Sequence, residues 1–318
     1  MILLRAPTEL VTEGRPVALA IGVFDGVHLG HQEVIRRTQA AAEQAGGLAV
    51  VATFDRHPNA VVAPDRVPPA ICSTALRLRV LAELGVEATW LIRFDEAFSR
   101  QTGEEFVRRV VAGFGRVTRI CVGRDFQFGW RRSGNVALLE RLGAELGFGV
   151  EAVPPLSLAG RTLSSTGIRE LIRQGALEEV ARWLGRPYLI AGTVVRGDGL
   201  GRELGFATAN LEVSGLQLPP PGVYAARARE PGGPWTPAVM DLGVRPTVAS
   251  ANAGLRLEVH LLDRQPELYG RELEVWPVRR LRDEVRFPSR EALQAQIARD
   301  VAAARALLQG GETGCGDR

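Results

Sequence analysis

The sequence predicts an α/β module followed by a small antiparallel β-barrel that closes with a helix. The first half alternates apolar, strand-like runs with helical stretches, which implies a mostly parallel sheet with helices on both faces. Near residue 185 the texture changes to separate β-rich runs punctuated by Gly and Pro, the pattern of a small barrel. The length of 318 residues suits two domains.

In the first half, Val17–Val23 is a short apolar strand, and a helix follows over about His31–Gln44, closed by Gly46–Gly47. Leu48–Phe54 is apolar on both alternations and predicts a buried parallel strand. Helices are expected at Arg77–Leu84, Gly103–Val111 and Val136–Leu146, with strands at Thr89–Phe94, Arg119–Val122 and Val150–Val153. Thr166–Gln174 and Leu177–Leu184 form two short helices, the second broken at Gly185-Arg186-Pro187. Five β-rich runs come next, at Tyr188–Val195, Val223–Arg229, Pro237–Leu242, Leu255–Leu262 and Glu272–Val278. In the last helix Ser289 is the N-cap, and Leu293, Ile297, Val301, Ala304 and Leu308 form one apolar stripe. These readings divide the chain into domains at 1–185 and 186–310, with a tail expected to be disordered at 311–318.

Composition removes several classes. All 39 Lys+Arg residues are arginine. A Walker A loop and a protein-kinase β3 strand each need a lysine, so neither can exist here. Arg-Arg pairs are scattered and the net charge is only +3, so no nucleic-acid partner is expected. The longest apolar run is far short of a membrane span, and Met1–Leu10 does not read as a signal peptide. Cys72, Cys121 and Cys315 are odd in number and far apart, which suits a reducing cytoplasm.

Two constellations carry chemistry. Gly22–His31 reads G-V-F-D-G-V-H-L-G-H between a strand and a helix. Gly22, Gly26 and Gly30 would let the backbone approach a phosphate, and the helix start favours an anion. His28 and His31 share a face if both lie in the first turn, where imidazoles can donate to a triphosphate. H-x-G-H resembles the nucleotidyltransferase signature and that of one class of tRNA synthetases, whose second, lysine-based signature this chain lacks. The second nucleotidyltransferase motif has its counterpart in L-S-S-T-G-I-R at Leu163–Arg169. There Ser164, Ser165 and Thr166 offer hydroxyls and backbone N–H groups at a helix start, with Arg169 as a cation.

With T-F-D-R-H-P at Thr53–Pro58 and V-G-R-D-F-Q-F-G at Val122–Gly129, the chain closely resembles the prokaryotic bifunctional riboflavin kinase/FMN adenylyltransferase family. The resemblance implies a Rossmann-like nucleotidyltransferase domain that transfers AMP from ATP to FMN, and a riboflavin kinase-like barrel. It carries Phe24, Asp25 and the His28/His31 turn over as nucleotide and phosphate binders. Asp125 is placed beside nucleotide or flavin. His57 reads equally as a loop histidine or a flavin-facing donor. Arg56 stands where the family usually has proline.

The second constellation is Val195–Asn210, V-R-G-D-G-L-G-R-E-L-G-F-A-T-A-N. Gly197, Gly199, Gly201 and Gly205 form a loop able to wrap phosphates through backbone N–H groups. Thr208 and Asn210, two apart on an extended chain, offer hard oxygens suited to Mg²⁺. The resemblance aligns Ala207–Asn210 with the family's P-T-A-N, the proline being absent, and makes Glu258 the base of an E-x-H block. Asp241 stands where Asn is common. The substrates implied are ATP, riboflavin, FMN and FAD, with Mg²⁺ as cofactor and self-association left open. An adenylyltransferase with an impaired kinase, or a flavin-binding regulatory protein, is the alternative.

Overall fold

The computed structural model describes residues 1–197, 199–244, 255–263 and 267–309. The tail expected at 311–318 lies outside the described residues. The chain divides into two compact units, one of Met1–Ala70, Thr74–Gly167 and Trp183–Gly185, the other of Ile71–Ser73, Ile168–Arg182 and Arg186–Arg318.

The first unit runs β1 (Ile2–Leu4), β2 (Val17–Ile21), α1 (Leu29–Gln44), β3 (Leu48–Phe54), α2 (Asn59–Val62), α3 (Thr74–Glu83), β4 (Ala88–Ile92), α4 (Glu96–Ser99), α5 (Gly103–Phe114), β5 (Val117–Gly123), α6 (Val136–Leu146), β6 (Gly149–Val153) and a small hairpin, β7 (Ser157–Leu158) with β8 (Arg161–Thr162). Two helices follow, α7 (Ser165–Gln174) and α8 (Leu177–Leu184), and the division between the units passes through both. Six strands form one sheet in the order β1-β4-β3-β2-β5-β6, every pairing parallel. Alternation along β2 sorts its side chains between two layers. Leu19 and Ile21 join Phe106, Val110, Leu139 and Leu142 in the core built with α5 and α6. Ala18 turns the other way and meets Ala49 and Ala42 of α1, small residues that let helix and sheet approach closely. Each large side chain buried here contributes roughly 1.5–3 kcal/mol. A capping box sets the start of α5: Thr102 Oγ1 accepts from the Glu105 N–H at 3.2 Å, and Glu105 accepts from the Thr102 N–H at 2.8 Å.

The second unit continues with β9 (Ile190–Val195), α9 (Leu200–Glu203), β10 (Ala209–Glu212), β11 (Gly222–Arg229), β12 (Thr236–Val244), β13 (Leu255–Leu261), β14 (Glu272–Arg282) and α10 (Arg290–Gln309). Its strands form a closed barrel, β10-β13-β12-β11-β14-β9, with β9 pairing β10 to complete the ring. Ser289 caps α10 by accepting the Ala292 N–H at 3.2 Å. The stripe expected on α10 is divided in its use. Ala304 and Leu308 pack on Val223, Ala225 and Val239, whereas Leu293 and Ile297 line a cavity.

Candidate active site

β2 lies at the switch point of the parallel sheet, since β3 and β5 flank it and the strand order departs from it in both directions. Open parallel sheets bind ligands beyond the carboxyl ends of their strands at such a point. The Gly22–His31 turn leaves β2 there with a sharply bent backbone: Phe24, Gly26 and Val27 have φ of 50°, 77° and 42°. For Phe and Val that conformation costs about 1–3 kcal/mol, and it persists only where the surroundings enforce it. Here both side chains are buried, and Gln32 Nε2 donates to the Val27 carbonyl at 2.9 Å and the Leu184 carbonyl at 2.7 Å.

His28 and His31 do not both lie in the first helical turn, the condition set for their sharing one helix face. His28 is the extended N-cap of α1, and its Nδ1 accepts the His31 N–H at 3.3 Å. The imidazoles stack with centroids 3.7 Å apart, and the Phe24 ring meets His31 edge-on at 5.3 Å. A neutral imidazole that accepts at Nδ1 carries its proton on Nε2, which makes that nitrogen of His28 a donor. The room left at two of the glycines is taken by these rings. A Cβ would lie 3.1 Å from the Phe24 ring at Gly22, and 3.1 Å from the His28 ring at Gly30.

The second motif meets the first. Ser165 Oγ donates to the carbonyl of buried Asp25 at 3.1 Å. Ser164 serves as the cap of α7, its Oγ accepting the Gly167 N–H at 3.1 Å. Thr166 is exposed in the first turn, and Arg169 lies half-buried farther along the helix. Arg77 is a further positioning residue with no signal in the sequence. Its guanidinium is buried and donates to the carbonyls of Val23, at 2.9 Å, and Phe54, so it ties together the chain leaving β2 and the end of β3.

Beside this edge lies a cavity of about 510 Å³, with Phe54, Phe98, Phe126, Phe128 and Trp130 in its wall. Its lining includes Pro58 and Asn59 but not His57, whose Nδ1 accepts the Asn59 N–H at 3.1 Å. Asp125 is exposed, and its neighbours Phe126 and Gln127 line the cavity instead. The alternation Phe126, Phe128, Trp130 was the available sequence signal for this wall.

In the second unit the loop between β9 and β10 is not a plain glycine nest, because α9 occupies its middle. Gly199 and Gly205 adopt left-handed φ of 77° and 87°, at the entry to α9 and the exit from it. The other two glycines provide space. A Cβ on Gly197 would lie 2.2 Å from Asn210 Nδ2, and one on Gly201 would lie 2.5 Å from the Phe206 carbonyl oxygen and 3.0 Å from Thr208 Oγ1. Asn210 is buried, and its Oδ1 has no hydrogen-bond partner.

Thr208 borders two cavities. One, of about 240 Å³, includes Phe206, Asp241, Glu258, His260 and Arg282 in its wall. The other, of about 170 Å³, is lined by Arg202, Ala207, Glu267 and Tyr269 among others. Asn210 faces Glu258 across the β10–β13 pair, and Glu258 faces Asp241 across β13–β12, so the three share one face of the barrel wall. Glu258 lies 3.5 Å from Arg256. Burial first, then the charges of Glu284 and Glu258, pushes the Asp241 carboxyl up to about 6. Arg282 grips Asp300 of α10 with contacts of 2.8–3.0 Å. His260 Nδ1 is 2.8 Å from the Ala207 carbonyl oxygen and holds the A-T-A-N segment against β13. Among the described residues no group of three or more His, Cys, Asp and Glu is arranged to hold a metal.

The family model for FAD synthetase matches residues 11–167, and that for riboflavin kinase matches residues 184–308. The bifunctional riboflavin kinase/FMN adenylyltransferase of Escherichia coli (strain K12) is 38% identical over 287 residues, covering 90% of this chain and 91% of that protein. The Pseudomonas fluorescens protein of the same description is 38% identical over 307 residues, covering 96% and 98%. That of Haemophilus influenzae is 35% identical over 292 residues, covering 92% and 94%. A crystal structure described as a macrolide-efflux protein from Streptococcus pneumoniae matches with a TM-score of 0.78 at 29% identity, covering 96% of this chain and 98% of that one. Among the described residues of this chain no helix is long and apolar enough to cross a membrane.

Proposed function

Since the chain belongs to the bifunctional riboflavin kinase/FMN adenylyltransferase family, we propose that it phosphorylates riboflavin to FMN with one ATP and converts FMN to FAD and pyrophosphate with another. We assign AMP transfer to residues 1–185 and the kinase reaction to residues 186–310, a division supported by the two family-model matches. The observation that carries the reading is the Ser165–Asp25 hydrogen bond, which joins the H-x-G-H turn to the S-S-T segment at the carboxyl edge of β2.

In AMP transfer, a phosphate oxygen of FMN attacks the α-phosphorus of ATP, and the bond to pyrophosphate breaks. That phosphate is already ionised at neutral pH. Catalysis is therefore alignment and charge neutralisation, without a general base. His28 Nε2, the His31 imidazole and the N–H groups opening α1 supply donors, joined by the backbone N–H groups of Ser165 and Thr166 at the start of α7, the Thr166 hydroxyl and Arg169. The aromatic wall of the 510 Å³ cavity suits a flat, fused-ring flavin.

In the kinase reaction the nucleophile is a primary hydroxyl, weak until its proton is accepted. Glu258 takes that proton as the oxygen attacks the γ-phosphorus and the bond to the bridging oxygen breaks, releasing ADP. The two cavities flanking Thr208 suit an alcohol on one side and a nucleotide on the other. Thr208 and Asn210 would hold Mg²⁺, a reading supported by the buried, unpartnered Asn210 Oδ1, which is a hard oxygen of the kind that ion prefers. When bound, the ion neutralises charge on the phosphate oxygens. The cytoplasmic location expected from the cysteine pattern belongs to the same proposal.

The test is a chromatographic time course of the purified protein with riboflavin, ATP and Mg²⁺, repeated from FMN. FMN appearing first and FAD after it is the expected result. Untouched riboflavin alongside conversion of FMN to FAD would leave only the adenylyltransferase. Flavin binding without consumption of ATP would overturn both activities.

A further inference from the structure

Asp241 is a carboxylate with one oxygen that its surroundings leave without a hydrogen bond. It lines the 240 Å³ cavity together with Glu258, its in-register neighbour on β13. Registered partners lie about 4.5–5.5 Å apart at Cα, with side chains on the same face. Asp241 Oδ1 is buried and has no hydrogen-bond partner. Arg256 and Arg282 attract it through their charge but give that oxygen no hydrogen bond: Arg282 grips Asp300, and Arg256 lies against Glu258. Glu258 and Glu284 repel the carboxylate rather than satisfy it. A buried acceptor left in this condition costs folding free energy, so its retention in a cavity wall calls for a donor brought by a ligand.

The substrate of the kinase reaction carries such donors. Its side chain is a polyol, and the hydroxyl that Glu258 deprotonates is followed by secondary hydroxyls on successive carbons. Asp241 and Glu258, registered partners on adjacent strands, can therefore meet different hydroxyls of one such chain. We propose that Asp241 accepts a hydrogen bond from a secondary hydroxyl of the side chain, and so makes the kinase unit selective for a polyol over a simple primary alcohol. The inference rests on the reading that this unit phosphorylates riboflavin, and it adds a specificity residue to that reading.

The experiment compares kcat/KM for riboflavin with that for the 10-(5-hydroxypentyl) analogue of the same ring system, which keeps only the terminal hydroxyl. A hydrogen bond to a charged group is worth about ten- to hundredfold in such a ratio. Asp241→Ala is expected to lose that factor on riboflavin while its rate on the analogue changes by no more than about twofold. Asp241→Asn, which preserves shape and an accepting oxygen, is expected to keep part of the preference. It carries the test if the alanine variant does not fold. Equal losses on both substrates would assign Asp241 a structural role and overturn the inference, as would an unchanged preference in Asp241→Ala. If the wild-type protein makes no FMN from riboflavin, the kinase reading itself fails and the inference falls with it.

Discussion

Gly197 offers a sharp test of the metal-binding role of Asn210. A Cβ added there would lie 2.2 Å from Asn210 Nδ2, 2.5 Å from its Cγ and 2.7 Å from its Oδ1. Favourable contact between heavy atoms begins near about 3.5 Å, so the amide or the loop must retreat by about 1 Å. Asn210 is only 8% exposed and cannot simply swing into solvent. Overpacking of this kind costs about 1–3 kcal/mol in stability, and a displacement of that size can cost about a hundredfold in rate. Gly197→Ala is therefore expected to slow FMN formation by about two orders of magnitude and to raise the Mg²⁺ concentration needed for half-maximal rate, while adenylylation of added FMN continues. The assay is initial FMN formation across a Mg²⁺ titration, with melting temperature measured on the same samples. Gly199→Ala is the control. Its φ of +77° strains any other residue, but a Cβ there meets nothing within 4 Å. It should lose stability without a changed Mg²⁺ requirement. A wild-type Mg²⁺ profile in Gly197→Ala, or the same shift in Gly199→Ala, would refute the reasoning.

Replacing either member of the imidazole stack by alanine, at His28 or His31, should lower AMP transfer by at least tenfold and spare FMN formation, read from the two half-reactions separately; loss of both in a folded protein would break the division of labour. Glu258→Gln should reduce FMN formation by about 10²–10⁴-fold while added FMN is still converted to FAD. Asp241 also predicts a pH effect on the ligand-free protein. Its folded-state value of about 6 stands above the usual carboxylate value, so the folded chain binds the extra proton and this contribution to stability is lost as pH rises through 6. Asp241→Asn removes that loss: it should be more stable than wild type above pH 6 by up to about 3 kcal/mol, with the advantage fading toward pH 4 in denaturant melts. An advantage independent of pH would contradict the assignment.

The elements most legible in the sequence were those whose limits are set locally. Leu48–Phe54, Val136–Leu146 and Leu177–Leu184 begin and end where pattern and punctuation placed them. Asn135 caps the second of these, accepting the Leu138 N–H at 2.9 Å, and Gly147 closes it at a left-handed φ of 83°. What escaped depends on distant partners. β1 is three residues long and exists by pairing with β4. The burial of Arg77 follows from two strand ends meeting around it. The two motif histidines were evident, yet the use of His28 as a cap depends on the bend at Phe24 and Val27, which no propensity announces. The row Asn210–Glu258–Asp241 is a matter of register, and register is decided by the closed barrel rather than by any one strand.

That closure has a consequence for how the kinase centre can fail. β10 carries Asn210 and is hydrogen-bonded on both sides, to β9 and to β13, and no strand of the ring has a free edge from which to peel. Separating the Asn210 strand from the Glu258 strand means breaking the ring itself. The juxtaposition of Asn210 and Glu258 is therefore tied to the integrity of every pairing in the ring, including those far from the site.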